Sequence, residues 1–172
     1  MLMFGELLIS KLLLLFAIFS IAGWVGELFY RNFISKNKNL NPGFLKGPYL
    51  PIFGFGAVLV YLIFLININL ILMILISTLI LTLLEFTTGL ILLKFNIELW
   101  NYSTKKFNYK GLISLGVVVI WIILCIVSII WLFPLFKKIN VVPNGLMLGL
   151  GFFYIIVISD AIIRFYFLKK KK

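Results

Sequence analysis

The chain has 172 residues, of which 63% are hydrophobic and only 12% are charged. A soluble domain carries roughly a quarter charged residues, so a single globular core could not hide this much apolar surface, and the composition predicts a protein embedded in a lipid bilayer. The formal net charge is +11 at pH 7, but the basic residues fall in short loops and at the tail, a pattern typical of membrane topology that argues against nucleic acid as a partner.

Five apolar runs follow along the chain, each close to the roughly 20 helical residues that a bilayer requires. They are continuously apolar and lack the alternation of membrane barrels, which predicts α-helices. The expected fold is a single all-α integral membrane domain over residues 1–172. Its predicted spans are 12–30, 49–66, 70–93, 112–136 and 145–168. The first run continues into polar residues without a cleavage motif, so we expect it to be retained.

The basic residues are distributed unevenly between the loops. Four lie in each of loop 31–48, loop 94–111 and the tail 169–172. The opposite side has three: Lys11, Lys137 and Lys138. The positive-inside rule then predicts that the N-terminus is outside and the C-terminus is in the cytoplasm. The same charges favour anionic lipid headgroups as partners. Abundant Ile, Leu, Lys and Asn suggest an AT-rich bacterial genome, so the expected location is the bacterial cytoplasmic membrane.

Three acids are predicted within or at the end of spans, at a similar depth: Glu27, Glu85 and Asp160. An acid at the bilayer centre costs about 2.5 to 3.5 kcal/mol on insertion scales. Arg31 and Arg164 follow the first and the last of these acids at i+4, a spacing that places opposite charges on one helix face. Interfacial ion pairs would explain both acids without a functional role.

Glu85 differs because no basic residue lies within a turn of it. Its helix face carries a polar stripe that consists of Thr78, Thr82, Glu85, Thr88 and Gly89. Such a stripe should face the interior of a helix bundle, either as a structural hydrogen-bond network or as a carboxylate on a substrate or ion pathway. A comparable stripe in the first span includes Ser20, Gly23 and Trp24. The candidate polar cavity comprises Glu27, Glu85, Asp160, Ser20, Trp24, Thr82 and Thr88.

The stretch NPGFLKGPYLPIFGFG, residues 41–56, interrupts the backbone where the second span begins. Pro51 suits a first helical turn, and the residues before it are expected to be non-helical. Non-helical backbone at this depth must face protein or water. The stretch is therefore predicted either to line a cytoplasmic vestibule or to form a tight turn with glycines for packing. The candidate vestibule residues are Gly43, Gly47, Pro48, Pro51, Gly54, Gly56, Trp100, Asn101, Tyr102 and Ser103.

Other positions indicate helix packing rather than chemistry. Gly145 and Gly149 have the GxxxG spacing, and Gly23 would let a neighbouring helix approach closely. Trp121 and Cys125 are most simply packing residues of the fourth span. The Leu-Trp-Asn-Tyr-Ser segment that ends at Ser103 is also compatible with an interfacial aromatic anchor.

Motifs for nucleotide or metal chemistry are absent from the sequence. It contains no GxxxxGK[ST], no nucleophile elbow and no zinc motif. The chain has no histidine, and Cys125 is its single cysteine, so neither a histidine-based metal site nor a disulfide framework is expected. We therefore expect no cofactor, no metal and no enzymatic activity.

A series of polar, aromatic and small residues follows along about 16–136: Ser20, Gly23, Trp24, Glu27, Tyr30, Gly43, Phe44, Leu45, Gly47, Pro48, Pro51, Ile52, Gly54, Gly56, Glu85, Trp100, Tyr102, Ser103, Asn108 and Gly111, with Asp160 as a late acid. Their order resembles that of a small bacterial family of ABC-transporter type IV membrane proteins, described as permease-like. Pro42, Asn101 and Leu112 stand where the family pattern has charged residues, so an activity of the family that depends on those charges is in doubt here.

The resemblance implies a permease subunit that needs a separate ABC ATPase, for which loops 31–48 and 94–111 offer cytoplasmic surfaces. Two alternatives stay open at the level of sequence. One is a lipid-binding or lipid-active membrane protein, and the other is a structural scaffold for another membrane complex. A homo-oligomer is compatible with each of the three.

Overall fold

The computed structural model describes residues 2–34 and 43–170. The helices are α1 (Leu2–Phe29), α2 (Pro51–Leu65), α3 (Leu70–Lys94), α4 (Leu115–Val127), α5 (Phe133–Lys137) and α6 (Asn144–Lys170). Two short strands, β1 (Asn108–Tyr109) and β2 (Ile113–Ser114), precede α4. A π-helical turn, Tyr30–Ile34, extends α1, and a second, Ser128–Leu132, joins α4 to α5. Several residues invoked by the sequence predictions lie outside the described residues: Lys36, Lys38, Asn41, Pro42, Lys171 and Lys172.

Four helical stretches are long and apolar enough to cross a membrane: Gly5–Phe33, Leu70–Lys94, Leu115–Lys137 and Asn144–Leu168. Helix α2 has 15 residues, or about 22 Å at 1.5 Å per residue. This is shorter than a bilayer core of about 30 Å. The prediction of a helical, multi-pass membrane protein is therefore confirmed, whereas the fifth span and the orientation of the termini stay predictions.

Local chemistry explains where the central helices begin and end. Helix α2 begins at Pro51, as predicted, because the proline ring fixes φ and its missing N–H is not needed in a first turn. Helix α3 is capped by Asn69, whose side-chain oxygen accepts a hydrogen bond of 2.9 Å from the Ile71 N–H. Asn67 and Asn96 have positive φ values of 57° and 56°, which asparagine tolerates in turns.

The strands β1 and β2 form a hairpin that the sequence analysis did not predict. They pair antiparallel, with Tyr109 opposite Ile113. Lys110 and Gly111 have positive φ values of 54° and 70°, as the mirror-image turns of hairpins require. The Leu112 N–H closes the turn onto the Tyr109 carbonyl at 3.1 Å. The hairpin moves the start of the fourth helix from the predicted residue 112 to Leu115.

The chain divides into two compact units, the first comprising Met1–Phe55 with Asn140–Lys172 and the second Gly56–Ile139. In the first unit, the Tyr154 hydroxyl on α6 donates to the Leu13 carbonyl of α1 at 2.9 Å, and the Tyr154 ring stacks on Phe16 at 5.5 Å. In the second unit, the buried Tyr61 packs edge-on against the buried Phe133 with ring centroids 5.2 Å apart.

Glycines bring α1 and α2 together within the first unit. A Cβ atom on Gly54 would lie 2.3 Å from the Ser20 Oγ and 2.7 Å from the Phe16 carbonyl oxygen. A Cβ atom on Gly23 would meet the Phe53 ring at 2.3 Å. The close helix approach predicted at Gly23 is therefore confirmed, and Gly54 allows a second one.

The other glycines singled out by the sequence differ in how closely they pack against neighbouring side chains. A Cβ atom on Gly56 would lie 2.8 Å from a methyl group of Leu81 on α3 in the second unit. By contrast, a Cβ atom on Gly145 or Gly149 would have nothing within 4 Å. The GxxxG pair thus packs against no helix in the described part of the chain.

Candidate functional site

Glu85 joins three elements of the second unit through its carboxylate. The side chain lies on α3 and is 5% exposed. Its Oε1 accepts a hydrogen bond of 3.2 Å from the Tyr102 hydroxyl in the loop before the hairpin. Its Oε2 accepts a bond of 2.7 Å from the Trp121 Nε1 on α4. Hydrogen bonds to both oxygens offset the cost of burying this acid.

The polar stripe around Glu85 belongs to the buried face of α3. That face comprises Met73, Ser77, Thr78, Leu81, Glu85, Gly89 and Leu92. Thr82 and Thr88 are half-buried beside it, and the Thr82 hydroxyl donates to the Thr78 carbonyl of its own helix at 2.8 Å. The buried hydroxyl of Ser77 has no hydrogen-bond partner among the described residues. The predicted inward orientation of the stripe is confirmed.

Ser77 was missed by the sequence analysis, although its position could have identified it. It lies four and eight residues before Leu81 and Glu85, and therefore on the same helix face.

Trp100 and Gly89 bring the loop after α3 against the end of that helix. The Trp100 Nε1 donates to the Leu112 carbonyl at 3.0 Å. A Cβ atom on Gly89 would lie 2.9 Å from a Leu112 methyl carbon, so glycine permits this approach. The cavity at this junction has a volume of about 10 Å³, about the space that one water molecule needs.

The loop that carries Tyr102 is ordered by its own hydrogen bonds. The Asn101 Oδ1 accepts the Ser103 N–H at 2.8 Å, the local Asx-turn geometry. The Tyr102 N–H donates to the Gly111 carbonyl at 2.7 Å, and the Asn108 side chain donates to the Lys105 carbonyl at 2.8 Å. These bonds hold the Tyr102 phenol in position to reach Glu85.

Asp160 binds the segment before α2 in the first unit. Its Oδ2 accepts hydrogen bonds from the Lys46 N–H at 2.7 Å, the Gly47 N–H at 3.0 Å and the Tyr49 hydroxyl at 2.8 Å. One carboxylate oxygen on α6 therefore binds the non-helical segment through three donors.

The i+4 spacings predicted from the sequence have different outcomes. The Arg31 Nε donates to the Glu27 Oε1 at 2.9 Å, so this ion pair is confirmed. The Asp160 Oδ2 accepts its hydrogen bonds from the segment before α2, and the charge of Arg164 also acts on this carboxylate. The Arg164 Nε itself has no hydrogen-bond partner among the residues described. The spacing therefore identified an opposite charge near each acid, but a hydrogen-bonded ion pair only for Glu27.

The segment Gly43–Leu50 is non-helical, as predicted. Leu45 and Tyr49 are buried in a cluster with Val157 of α6, and the Leu50 N–H donates to the Ser20 carbonyl at 2.8 Å. Pro48 is exposed, whereas Gly43, Gly47 and Pro51 are half-buried. This segment therefore packs on α1 and α6 of its own unit.

Two buried donors near this segment have no hydrogen-bond partner among the described residues: the Ser20 hydroxyl and the Trp24 Nε1. Glu27, one turn farther along α1, belongs to the ion pair with Arg31. Each of the three acids, Glu27, Glu85 and Asp160, thus has its own partners. A cavity shared by all three, and a vestibule at 43–56, stay predictions.

Comparison with known proteins agrees with the family resemblance of the sequence. A family model described as "Putative ABC-transporter type IV" matches residues 14–165. No curated protein and no solved structure is significantly similar to the chain. The match extends from α1 to α6 and includes Glu27, Glu85 and Asp160. The chain therefore belongs to the ABC-transporter type IV family.

Proposed function

We propose that the chain is a permease subunit of the bacterial cytoplasmic membrane, with five spans, that works with a separate ABC ATPase. The observation that carries the proposal is the family match over residues 14–165. The sequence has no P-loop, so a partner must supply nucleotide hydrolysis. In this role the chain carries out no covalent step and needs no cofactor of its own.

The second unit supports this role because it connects a polar loop to the spanning helices. Tyr102 in loop 94–111 hydrogen-bonds to Glu85 on α3, and Glu85 also binds Trp121 on α4. A partner that moves the loop would therefore pull on both helices through one carboxylate. Such a chain of packed and hydrogen-bonded groups is the physical route by which a domain outside the membrane can act on the spans.

The test is capture of the tagged full-length chain from native membranes in mild detergent, followed by identification of the bound proteins. We expect a P-loop ATPase subunit in stoichiometric amount. The matched control is another tagged multi-pass protein at the same expression level, which should not retain that ATPase. Recovery of the chain alone, or with a stoichiometric partner other than an ATPase, would contradict the proposal.

A further inference from the structure

The basic-aromatic segment 105–110, which leads into β1 and ends at the first residue of the hairpin turn, presents cations and aromatic rings to its surroundings. Its sequence is Lys-Lys-Phe-Asn-Tyr-Lys, and every one of these residues is exposed. The Phe107 side chain is 81% exposed and that of Tyr109 is 56% exposed. No Asp or Glu occurs between Glu98 and the end of the chain's fourth helix. No acidic group of the described residues forms an ion pair with Lys105 or Lys106.

The backbone holds Phe107 in this exposed position. Phe107 has a φ of +54°, which is unfavourable for a bulky residue outside a glycine-type turn. Its carbonyl accepts the Leu115 N–H at 3.2 Å, and the next side chain, Asn108, donates to the carbonyls of Ser103 and Lys105 at 3.1 and 2.8 Å. The backbone around Phe107 is therefore ordered while its aromatic side chain is almost fully exposed. We expect such a side chain to contact an apolar environment outside the chain.

The depth of the hairpin identifies that environment. The Tyr109 ring packs on the Phe86 ring of α3, with centroids 5.6 Å apart. Phe86 lies eight residues before Lys94, where α3 ends, and therefore about 12 Å back along the helix. Since α3 is long and apolar enough to span a membrane, the hairpin is level with the membrane-facing part of α3 rather than beyond it.

We propose that the basic-aromatic segment 105–110 is a lipid anchor for an anionic leaflet. Phe107 inserts below the headgroups, while Lys105 and Lys106 bind the lipid phosphates above it. Aromatic side chains favour this interfacial depth, and lysines extend their ammonium groups toward phosphates from an apolar base. The lipid surface is favoured over a protein partner because the basic-aromatic segment lies beside a spanning helix and combines cations that form no ion pair among the described residues with an exposed ring.

The experiment measures the depth of position 107 in nanodiscs that contain only this chain. Phe107→Cys is introduced into a Cys125→Ser background and labelled with a nitroxide, and its collisions with oxygen and with a water-soluble nickel complex are compared. The discs contain either zwitterionic lipid alone or a mixture with phosphatidylglycerol. We expect high oxygen and low nickel accessibility, with a deeper position in the anionic discs.

Charge variants test the lysines. Lys105→Ala/Lys106→Ala should abolish the deepening caused by anionic lipid, whereas the matched control Lys137→Ala/Lys138→Ala, which removes the same charge, should retain it. High nickel accessibility would place Phe107 in water and overturn the proposal. Low accessibility to both reagents would indicate a protein contact and would also overturn the proposal. A depth that is the same in zwitterionic and anionic discs, and in both lysine variants, would overturn it as well.

A second measurement covers the case in which the Cys125→Ser background does not fold. A photo-crosslinking phenylalanine analogue replaces Phe107 in the otherwise unchanged chain. Crosslinks to lipid are expected, and crosslinks only to protein would contradict the proposal. Because the discs contain no ATPase, the outcome is independent of the proposed permease function.

Discussion

At the scale of single residues, the three membrane acids are stabilised in three different ways. Glu85 is bound by the side-chain donors of Tyr102 and Trp121. Asp160 is bound mainly by backbone N–H groups, which belong to a segment more than 100 positions away in sequence. Glu27 instead pairs with Arg31, four residues later in the same helical stretch. Glu85 and Asp160, which hydrogen-bond to segments distant in sequence, are therefore the stronger candidates for a functional role.

Glu85→Gln should destabilise the protein. A glutamine offers one acceptor oxygen, and its amide nitrogen would face either the Tyr102 hydroxyl or the Trp121 N–H, both of which are donors. One buried donor would lose its partner, at a cost of about 1–2 kcal/mol. The measurement is the thermal unfolding midpoint of the purified protein in detergent.

Glu98→Gln is the matched control for this substitution. Glu98 is exposed, and its Oε1 accepts from the Asn101 Nδ2, a bond that a glutamine oxygen can replace. We expect a change within about 0.5 kcal/mol. Equal midpoints for the two variants would show that the hydrogen bonds of Glu85 do not contribute to stability.

Sequence reasoning identified the acids but only some of their partners. The helical spacing around Glu85 correctly predicted an inward face, because periodicity is a local property of α3. Trp121 was assigned to packing, since nothing in its own helix indicates that its N–H reaches an acid 36 positions earlier. The i+4 spacing correctly placed the charge of Arg164 near Asp160, but the N–H donors of Lys46 and Gly47 are visible only in the tertiary structure.

At the scale of elements, the bounds of α3 and α6 were predicted closely because these apolar runs end at polar or conformationally special residues. Span 70–93 corresponds to Leu70–Lys94, and span 145–168 to Asn144–Lys170. The first span was predicted from residue 12, whereas α1 begins at Leu2. The hairpin was missed because its four strand residues carry no alternating pattern long enough to recognise. Only Gly111, in the left-handed region, was a sequence-level indication of the turn.

The π-helical turn Ser128–Leu132 also has a cause in the sequence. Pro134 follows it, and a proline cannot donate to the carbonyl four residues earlier, that of Ile130. Its ring also crowds that carbonyl. The turn therefore widens before the proline and allows the helical path to continue into α5. A proline inside a predicted span could have indicated this irregularity in advance.

Gly54→Ala should weaken the packing between α1 and α2. The new methyl group would lie 2.7 Å from the backbone oxygen of Phe16, which cannot rotate away, so one of the two helices must shift. Such overpacking costs about 1–3 kcal/mol. The readout is again the unfolding midpoint in detergent.

Gly149→Ala is the control, because its methyl group would meet nothing within 4 Å and alanine favours the helix over glycine. It should leave the midpoint unchanged or raise it. A Gly54→Ala variant as stable as Gly149→Ala would contradict the close helix approach. A loss of stability in Gly149→Ala would instead indicate a contact with a second copy.

At the scale of the whole molecule, composition alone was enough to predict a membrane protein, whereas the number of crossings depends on α2. Four longer stretches satisfy the length of a span and α2 does not. The non-helical segment before α2 lengthens the part of the chain that could cross the bilayer there. Asp160 and the Ser20 carbonyl accept hydrogen bonds from N–H groups of that segment. Non-helical backbone is tolerated at membrane depth when protein groups form its hydrogen bonds in this way.

We therefore expect α2 to cross the bilayer together with the segment 43–50, so that the termini lie on opposite sides. Fusions at the C-terminus should be fluorescent as green fluorescent protein and inactive as alkaline phosphatase, which is active only outside the cytoplasm. N-terminal fusions preceded by an export signal should show the reverse. Because four crossings place both termini on one side, the same result at both ends would mean that α2 enters the membrane without crossing. In that case the twelve basic residues of the two loops and the tail could not share one side, and the charge bias itself would need another explanation.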